Sequence, residues 1–179
     1  MRLILRLSHG IDRFVLAIGK LASVFLLLLA ALILLDVLSR GSAWANSTRL
    51  QELEWHVHAG ICFFVFAYTM VSDRHVRVEL LRDHWSAKRR AYTEIAGLLF
   101  LFLPMVLVVL YYSTLFAHNA WVAGEASPSA TGLSHRWIIK ACQPIGFALL
   151  LLAGISRLLR QVIAVLPAKY QPSLSDTKS

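Results

Sequence analysis

Residues 24–35 read VFLLLLAALILL, an unbroken apolar run with no polar face at a helical period and no alternation at a strand period. A helix that is apolar all the way round is buried in a large core or lies in lipid. Transmembrane β-strands alternate over segments of about ten residues, so a continuous run of this kind excludes a β-barrel. Extending outward to Phe14 and Leu38, the block exceeds the roughly 20 residues that a helix needs to cross a bilayer core.

Three further blocks repeat the pattern. The second, 50–71, has no Asp, Glu, Lys or Arg after Glu54. The third, 92–117, is free of those four residue types from Ile95 to Phe116, and the fourth, 137–166, is free of them from Ala141 to Ser156. The 179 residues are 58% hydrophobic and 16% charged, and their mean hydropathy is +0.63. A soluble domain of this size has too little interior to hide that much apolar surface. The sequence therefore predicts an all-α membrane protein: one domain over 1–168, four transmembrane helices (about 14–38, 50–71, 92–117 and 137–166), and a polar, disordered tail over 169–179.

Orientation follows from the basic residues. The N-terminal segment, the 72–91 segment and the tail beyond Ser156 hold 14 Lys and Arg, and the two other connections hold four. By the positive-inside rule both termini face the cytoplasm. The +8 formal charge then reports topology, and no nucleic-acid partner is expected. Ala43-Trp44-Ala45 has the look of a signal cleavage site, but Asp36, Ser39 and Arg40 set it apart from the apolar run, so the first block reads as a retained helix.

The cytoplasmic stretch SDRHVRVELLRDHWSAKRR, 72–90, interleaves Val76, Leu80, Leu81 and Trp85 with charges at loosely helical spacing. It predicts a short interfacial helix on the lipid bilayer, with Trp85 at the headgroup boundary and Lys88, Arg89 and Arg90 near anionic lipid. Pro104, inside the third block, removes a backbone donor and predicts a kink or local opening over 100–104. Gly97, Gly146, Ala148, Ala153 and Gly154 are small enough for close helix packing, within the chain or against a partner.

Polar groups at the outer membrane edge are the remaining candidates. Asp36 and Arg40 stand one helical turn apart. Lys140 either snorkels outward or pairs with Glu52 or Glu54, and the alternative is that all these ends simply stay wet. Cys62 and Cys142 lie in apolar blocks and read as core residues, since neither disulfide spacing nor a metal motif surrounds them. His56 and His118, near the outer ends of two helices, offer a redox alternative, a haem- or quinone-associated four-helix membrane subunit in which the two would be the axial ligands of a haem. The outer loop, WVAGEASPSATGLSHRWIIK, is rich in turn formers and reads as a connector or a docking surface.

LQELEWH entering the second helix, HVRVEL and RRAYTEIAG after it, WVAGEASPSATGL, and RWIIKACQPIGFALLLL together resemble the small, DctQ-type membrane subunit of tripartite ATP-independent periplasmic (TRAP) transporters. The resemblance covers roughly residues 10 to 165. It implies a four-helix scaffold in the bacterial inner membrane that braces a large multi-helix subunit. That subunit carries an organic acid together with sodium, and a periplasmic substrate-binding protein delivers the acid.

It also implies that this chain is no enzyme, binds no substrate, metal or cofactor itself, and that sodium belongs to the partner. Positions matching the family are Glu52, Glu54 and Trp55 at the head of the second helix, and His75, Arg77 and Glu79 in the cytoplasmic segment. The match continues with Gly124, Ser127, Pro128, Gly132 and Leu133 in the outer loop, then Lys140, Pro144 and Gly146 in the fourth helix. Glu79 replaces an expected Asp, and Ser134 stands where the family often has Pro.

Overall fold

The computed structural model describes residues 2–39, 48–72, 85–129 and 132–166. Every regular element among them is helical: α1 (Arg2–Ser39), α2 (Thr48–Val71), α3 (Ala87–Gly97), α4 (Leu103–Val122) and α5 (Trp137–Val165). A π-helical turn, Leu98–Phe102, joins α3 to α4. Its cause is Pro104, which lacks an N–H and crowds the carbonyl four residues before it. The Leu103 N–H reaches back to the Leu98 carbonyl, five residues away, so the opening expected at 100–104 takes the form of one widened turn.

Three continuous helical stretches are long and apolar enough to cross a membrane: Ile4–Leu38, Lys88–Val122 and Trp137–Val165. The fourth expected span, α2, folds as a 24-residue helix yet falls below that standard. His56, His58, Tyr68 and Thr69 dilute its apolar run.

Two boundaries also differ from expectation. α1 begins at Arg2 rather than near residue 14, because Ser8 and Asp12 find partners that make the polar first turns worth ordering. The third spanning helix runs from Ala87 to Val122 through the π turn, longer than 92–117. Lys88, Arg89 and Arg90 therefore ride on its first turns instead of on a separate interfacial helix. Of the 72–90 stretch expected to form that helix, residues 73–84 lie outside the described residues, as does the chain from 167 onward.

α5 is the hub. It packs against α1, α2, α3 and α4, and α1 packs against α2, whereas α4 has its main contacts with α5 alone. The layout is a triangle of α1, α2 and α5 with the α3–α4 helix laid on the free side of α5. One core cluster joins Val15, Ala67 and Leu149; the next joins Met70, Leu98 and Ala153.

Small residues set the helix spacing. Gly146 faces the backbone of Phe63, Gly154 takes the ring of Phe102 from the π turn, and Gly19 lies under Tyr68. Gly97 meets nothing within 4 Å. In lipid, burying apolar surface gives helices little reason to associate, so such close approaches carry the packing. The outward sides carry Leu27, Leu38, Phe100 and Leu101, each more than 70% exposed, as a surface solvated by acyl chains or a partner requires.

Candidate assembly and docking sites

The helices end in two polar clusters. At the end holding the 123–136 loop, the carboxylate of Glu52 on α2 captures that loop. Its Oε2 accepts from the Leu133 N–H at 2.7 Å and its Oε1 from the Ser127 hydroxyl. The loop closes on itself through Ser127 N–H to the Leu133 carbonyl at 2.9 Å, while the Ser129 N–H donates to Ser127 Oγ at 3.2 Å.

Gly132 sits so close over Ser127 and Glu52 that a Cβ has no room. Gly124 supplies a left-handed turn at φ 59°, and His135 adopts φ 65° without being glycine, a cost that the pinned loop ends absorb. The Leu133 N–H and the Ser127 hydroxyl, with the charges of Arg136 and His56, hold the Glu52 carboxyl below its usual 4.5.

A second tether holds the other side of the loop. Lys140 forms an ion pair with Glu125 and lies 3.9 Å above the ring centroid of Phe116. The Arg136 N–H donates to the Glu125 carbonyl at 3.0 Å. This corrects the expected Lys140 pairing with Glu52 or Glu54: Glu52 is fully engaged by the loop, and Glu125, fifteen residues before Lys140, is the partner. Glu54 Oε1 and Arg136 Nε are shut off from solvent with no hydrogen-bond partner. Trp55 is 74% exposed on α2 and Pro128 is exposed on the loop. Asp36 is buried, and its expected partner Arg40 lies outside the described residues.

At the opposite, basic end a buried polar chain ties α1 to α5. Each hydroxyl has one proton to give, so the Ser8 hydroxyl donates to Ser156 Oγ at 2.7 Å and Ser156 donates to Asp12 Oδ1 at 2.7 Å. Asp12 Oδ2 accepts from Arg160. Beside it Arg157 pairs with Glu94 of α3 and donates to the Met70 carbonyl at 3.3 Å, where α2 ends. Four helices thus meet in one network whose members Ser8, Asp12, Ser156 and Arg157 are all buried. Each acid of this network, Asp12 and Glu94, has a basic partner, which is what burial at a membrane edge demands.

Of the expected anchor residues, Arg89 lies 4.6 Å from the Trp85 ring centroid, and Arg90 Nε donates to the Trp85 carbonyl at 3.0 Å. Ser86 caps α3 through the Arg89 N–H. Lys88 is exposed. His75, Arg77 and Glu79 lie outside the described residues.

Sequence reasoning brought Glu52, Ser127, Gly132 and Leu133 forward, and they do meet. It passed over Ser8, Asp12, Glu94, Glu125 and Ser156, and counted Arg157 and Arg160 only as topology charges. A signal existed: Ser8 and Asp12, like Ser156 and Arg160, are spaced i, i+4 and so share one helix face. His56 and His118 do not form a facing pair. His118 is exposed on α4 with its ring edge-on to Trp121, while α2 and α4 are not among the packed helix pairs.

No group of three or more potential metal ligands occurs among the described residues. The geometry offers clamps between helices and a shaped loop. No match was found among curated proteins or solved structures. The family model for the DctQ component of tripartite ATP-independent periplasmic transporters matches residues 29–164, a stretch that takes in the captured loop and the Met70, Glu94, Ser156, Arg157 and Arg160 members of the basic-end network but not Ser8 and Asp12. The chain accordingly belongs to the DctQ family, the small membrane component of TRAP transporters and not a family of enzymes.

Proposed function

We propose that this chain is the fixed scaffold of a TRAP-type transporter in a bacterial inner membrane, bracing a large subunit that takes up an organic acid at the expense of an ion gradient, with sodium as the coupling ion. The family match over 29–164 carries the reading. In this reading both termini are cytoplasmic, the basic end lies at the inner headgroup layer, and α2 crosses beside its three more apolar neighbours. The 123–136 loop then faces the periplasm, where a binding protein delivers the acid.

A static role suits the chemistry. The polar groups join one helix of this chain to another, and the outward sides of α1 and of the α3–α4 helix leave long apolar faces for a neighbour. A moving subunit needs a frame that resists lateral load, and clamps at both ends supply one. Lys88 and Arg89, at the inner edge, hold the frame at a set depth by attraction to anionic lipid.

Cells lacking this chain, but retaining the large subunit and the binding protein, are expected to lose uptake while the purified binding protein still binds its acid. Restoring the chain restores uptake. Full uptake in its absence would refute the role. The redox alternative has no geometric support at the expected histidines, because His56 and His118 stand on helices that do not pack together.

A further inference from the structure

The first half of α1 has three sides. Ser8, Asp12, Val15 and Ala22 are buried against the other helices. Leu7, Phe14 and Leu21, seven residues apart, form an exposed apolar side. Arg6, His9, Arg13 and Lys20 follow one another at three, four and seven residues, so they line up as a second exposed stripe. None of these four side chains is in an ion pair among the described residues. The acids of the same helix are engaged or enclosed: Asp12 serves Ser156 and Arg160, and Asp36 is buried.

Lys20 poses a problem of depth. At 1.5 Å per residue it stands about 21 Å beyond Arg6. An upright α1 with Arg6 at the inner headgroups therefore carries Lys20 about two-thirds of the way across a core of about 30 Å. An exposed, unpaired ammonium there is costly. Sinking the upright helix until Lys20 reaches the inner surface fails as well. The π turn packs on Gly154, two residues from the Ser156 that bonds Ser8, so Phe100 and Leu101 sit near the level of Ser8. Both are exposed, as is Phe14, and all three would then stand in water.

A leaning helix meets both demands. The Ile4–Leu38 span has 35 residues, about 52 Å of helix for a core of about 30 Å, and an overlong span tilts. α1 is already inclined to the hub. It meets α5 through Val15 with Leu149 and Ser8 with Ser156, then parts from it along a groove of about 500 Å³ that has Ile18 and Phe25 on one side and Ile138 and Cys142 on the other.

We propose that α1 crosses the bilayer obliquely, with the Arg6, Arg13 and Lys20 stripe laid along anionic phospholipid headgroups of the cytoplasmic leaflet. A basic stripe beside an apolar one is the pattern of a helix seated at a lipid surface, and cations without acids of their own complement anionic headgroups. Above the stripe α1 turns wholly aliphatic, as acyl chains require. The inference goes beyond the scaffold role and needs only a bilayer with the basic end at its surface, so it stands or falls separately from the transporter reading.

The test uses the full chain in vesicles of phosphatidylcholine and phosphatidylglycerol, carrying Cys62→Ser, Cys142→Ser and one spin label on a new cysteine. Depth is read from relaxation by oxygen, which concentrates among acyl chains, against a water-soluble nickel chelate. Ala17 is exposed between Arg13 and Lys20, so labelling Ala17→Cys keeps every charge of the stripe. That label is expected to respond to nickel, and labels on Ala31→Cys and Leu101→Cys to oxygen. An upright α1 reverses the first two, because Ala17 then lies about 16 Å and Ala31 about 37 Å beyond Arg6. A sunken α1 exposes Leu101 to nickel.

A second measurement leaves both cysteines in place. Native mass spectrometry of the chain in mild detergent is expected to show phosphatidylglycerol outlasting phosphatidylcholine. Arg13→Gln and Lys20→Gln are each expected to cut that preference about fivefold, the equivalent of about 1 kcal/mol for one basic residue. Ala17 among acyl chains, Leu101 in water, or a lipid preference that survives both substitutions would each overturn the proposal. So would cross-linking of the stripe, in native membranes, to acidic side chains of another protein.

Discussion

Gly146→Ala adds one methyl group where two backbones meet. The new Cβ stands 2.6 Å from the Phe63 carbonyl oxygen, against the 3.4 Å at which ordinary contact begins. A carbonyl inside a helix cannot rotate aside, so α2 and α5 must separate by about 0.8 Å. Overpacking of this kind costs about 1–3 kcal/mol. The usual helix-propensity gain of Ala over Gly offsets little of it, because a chain unfolded within a bilayer keeps its helices and the two states are equally helical.

Two comparisons fix the interpretation. Gly97→Ala, with nothing within 4 Å, is expected to stay within about 0.5 kcal/mol of the parent. Gly154→Ala strikes the ring of Phe102, a side chain able to swing, so Phe102→Leu is expected to recover much of its loss. The assay is unfolding of the purified chain in mixed bicelles with increasing dodecyl sulfate, followed by tryptophan fluorescence. If Gly146→Ala proves as stable as Gly97→Ala, close packing of α2 on α5 is not what holds the helices together.

The remaining expectations concern the polar clamps. Asp12→Ala strands the Ser156 hydroxyl and the Arg160 cation and is expected to cost about 3 kcal/mol in the same assay, the low end for a buried pair, because the Arg160 side chain stays 34% exposed. Ser156→Ala is expected to cost about 1–3 kcal/mol, and the double variant less than the sum, as two members of one hydrogen-bond chain require; simple additivity would argue against the chain. Lys140→Glu is expected to loosen the 123–136 loop to proteolysis, with Glu125→Lys restoring it, whereas rescue by Glu52→Lys instead would contradict the observed pairing. Glu52 ionises more readily in the folded chain than its usual 4.5, so its contribution is complete above that pH and lost as pH falls through the lower folded value. Hydrogen exchange at Leu133 is expected to quicken on acidification, and Glu52→Gln to flatten that dependence.

Much of the fold was written in local composition. Continuous apolar runs announce spanning helices whatever their neighbours, and Pro104 announces its widened turn because a missing N–H is a local fact. Glu52 and Gly132 could be singled out, yet their meeting could not be derived, since 80 residues separate them in the chain and loop geometry brings them together. The helical start of α1 was hidden for the same reason. Arg2 to Arg13 looks like a polar leader until Ser156 and Arg160, on the last helix, supply the partners that order it. Lys140 was assigned a neighbour on α2 because depth in the membrane is legible and rotation about a helix axis is not; Glu125 wins by lying on the loop that α5 itself terminates. α2 shows the limit from the other side, being long enough to span but with histidines that keep it from declaring itself.

The most direct test of the scaffold role is a pull-down of the tagged chain from native membranes in mild detergent, with co-purifying proteins identified by mass. A large multi-helix membrane protein recovered in near-equal amount is the expected result. Recovery of the chain alone, or together with a redox protein, would contradict it.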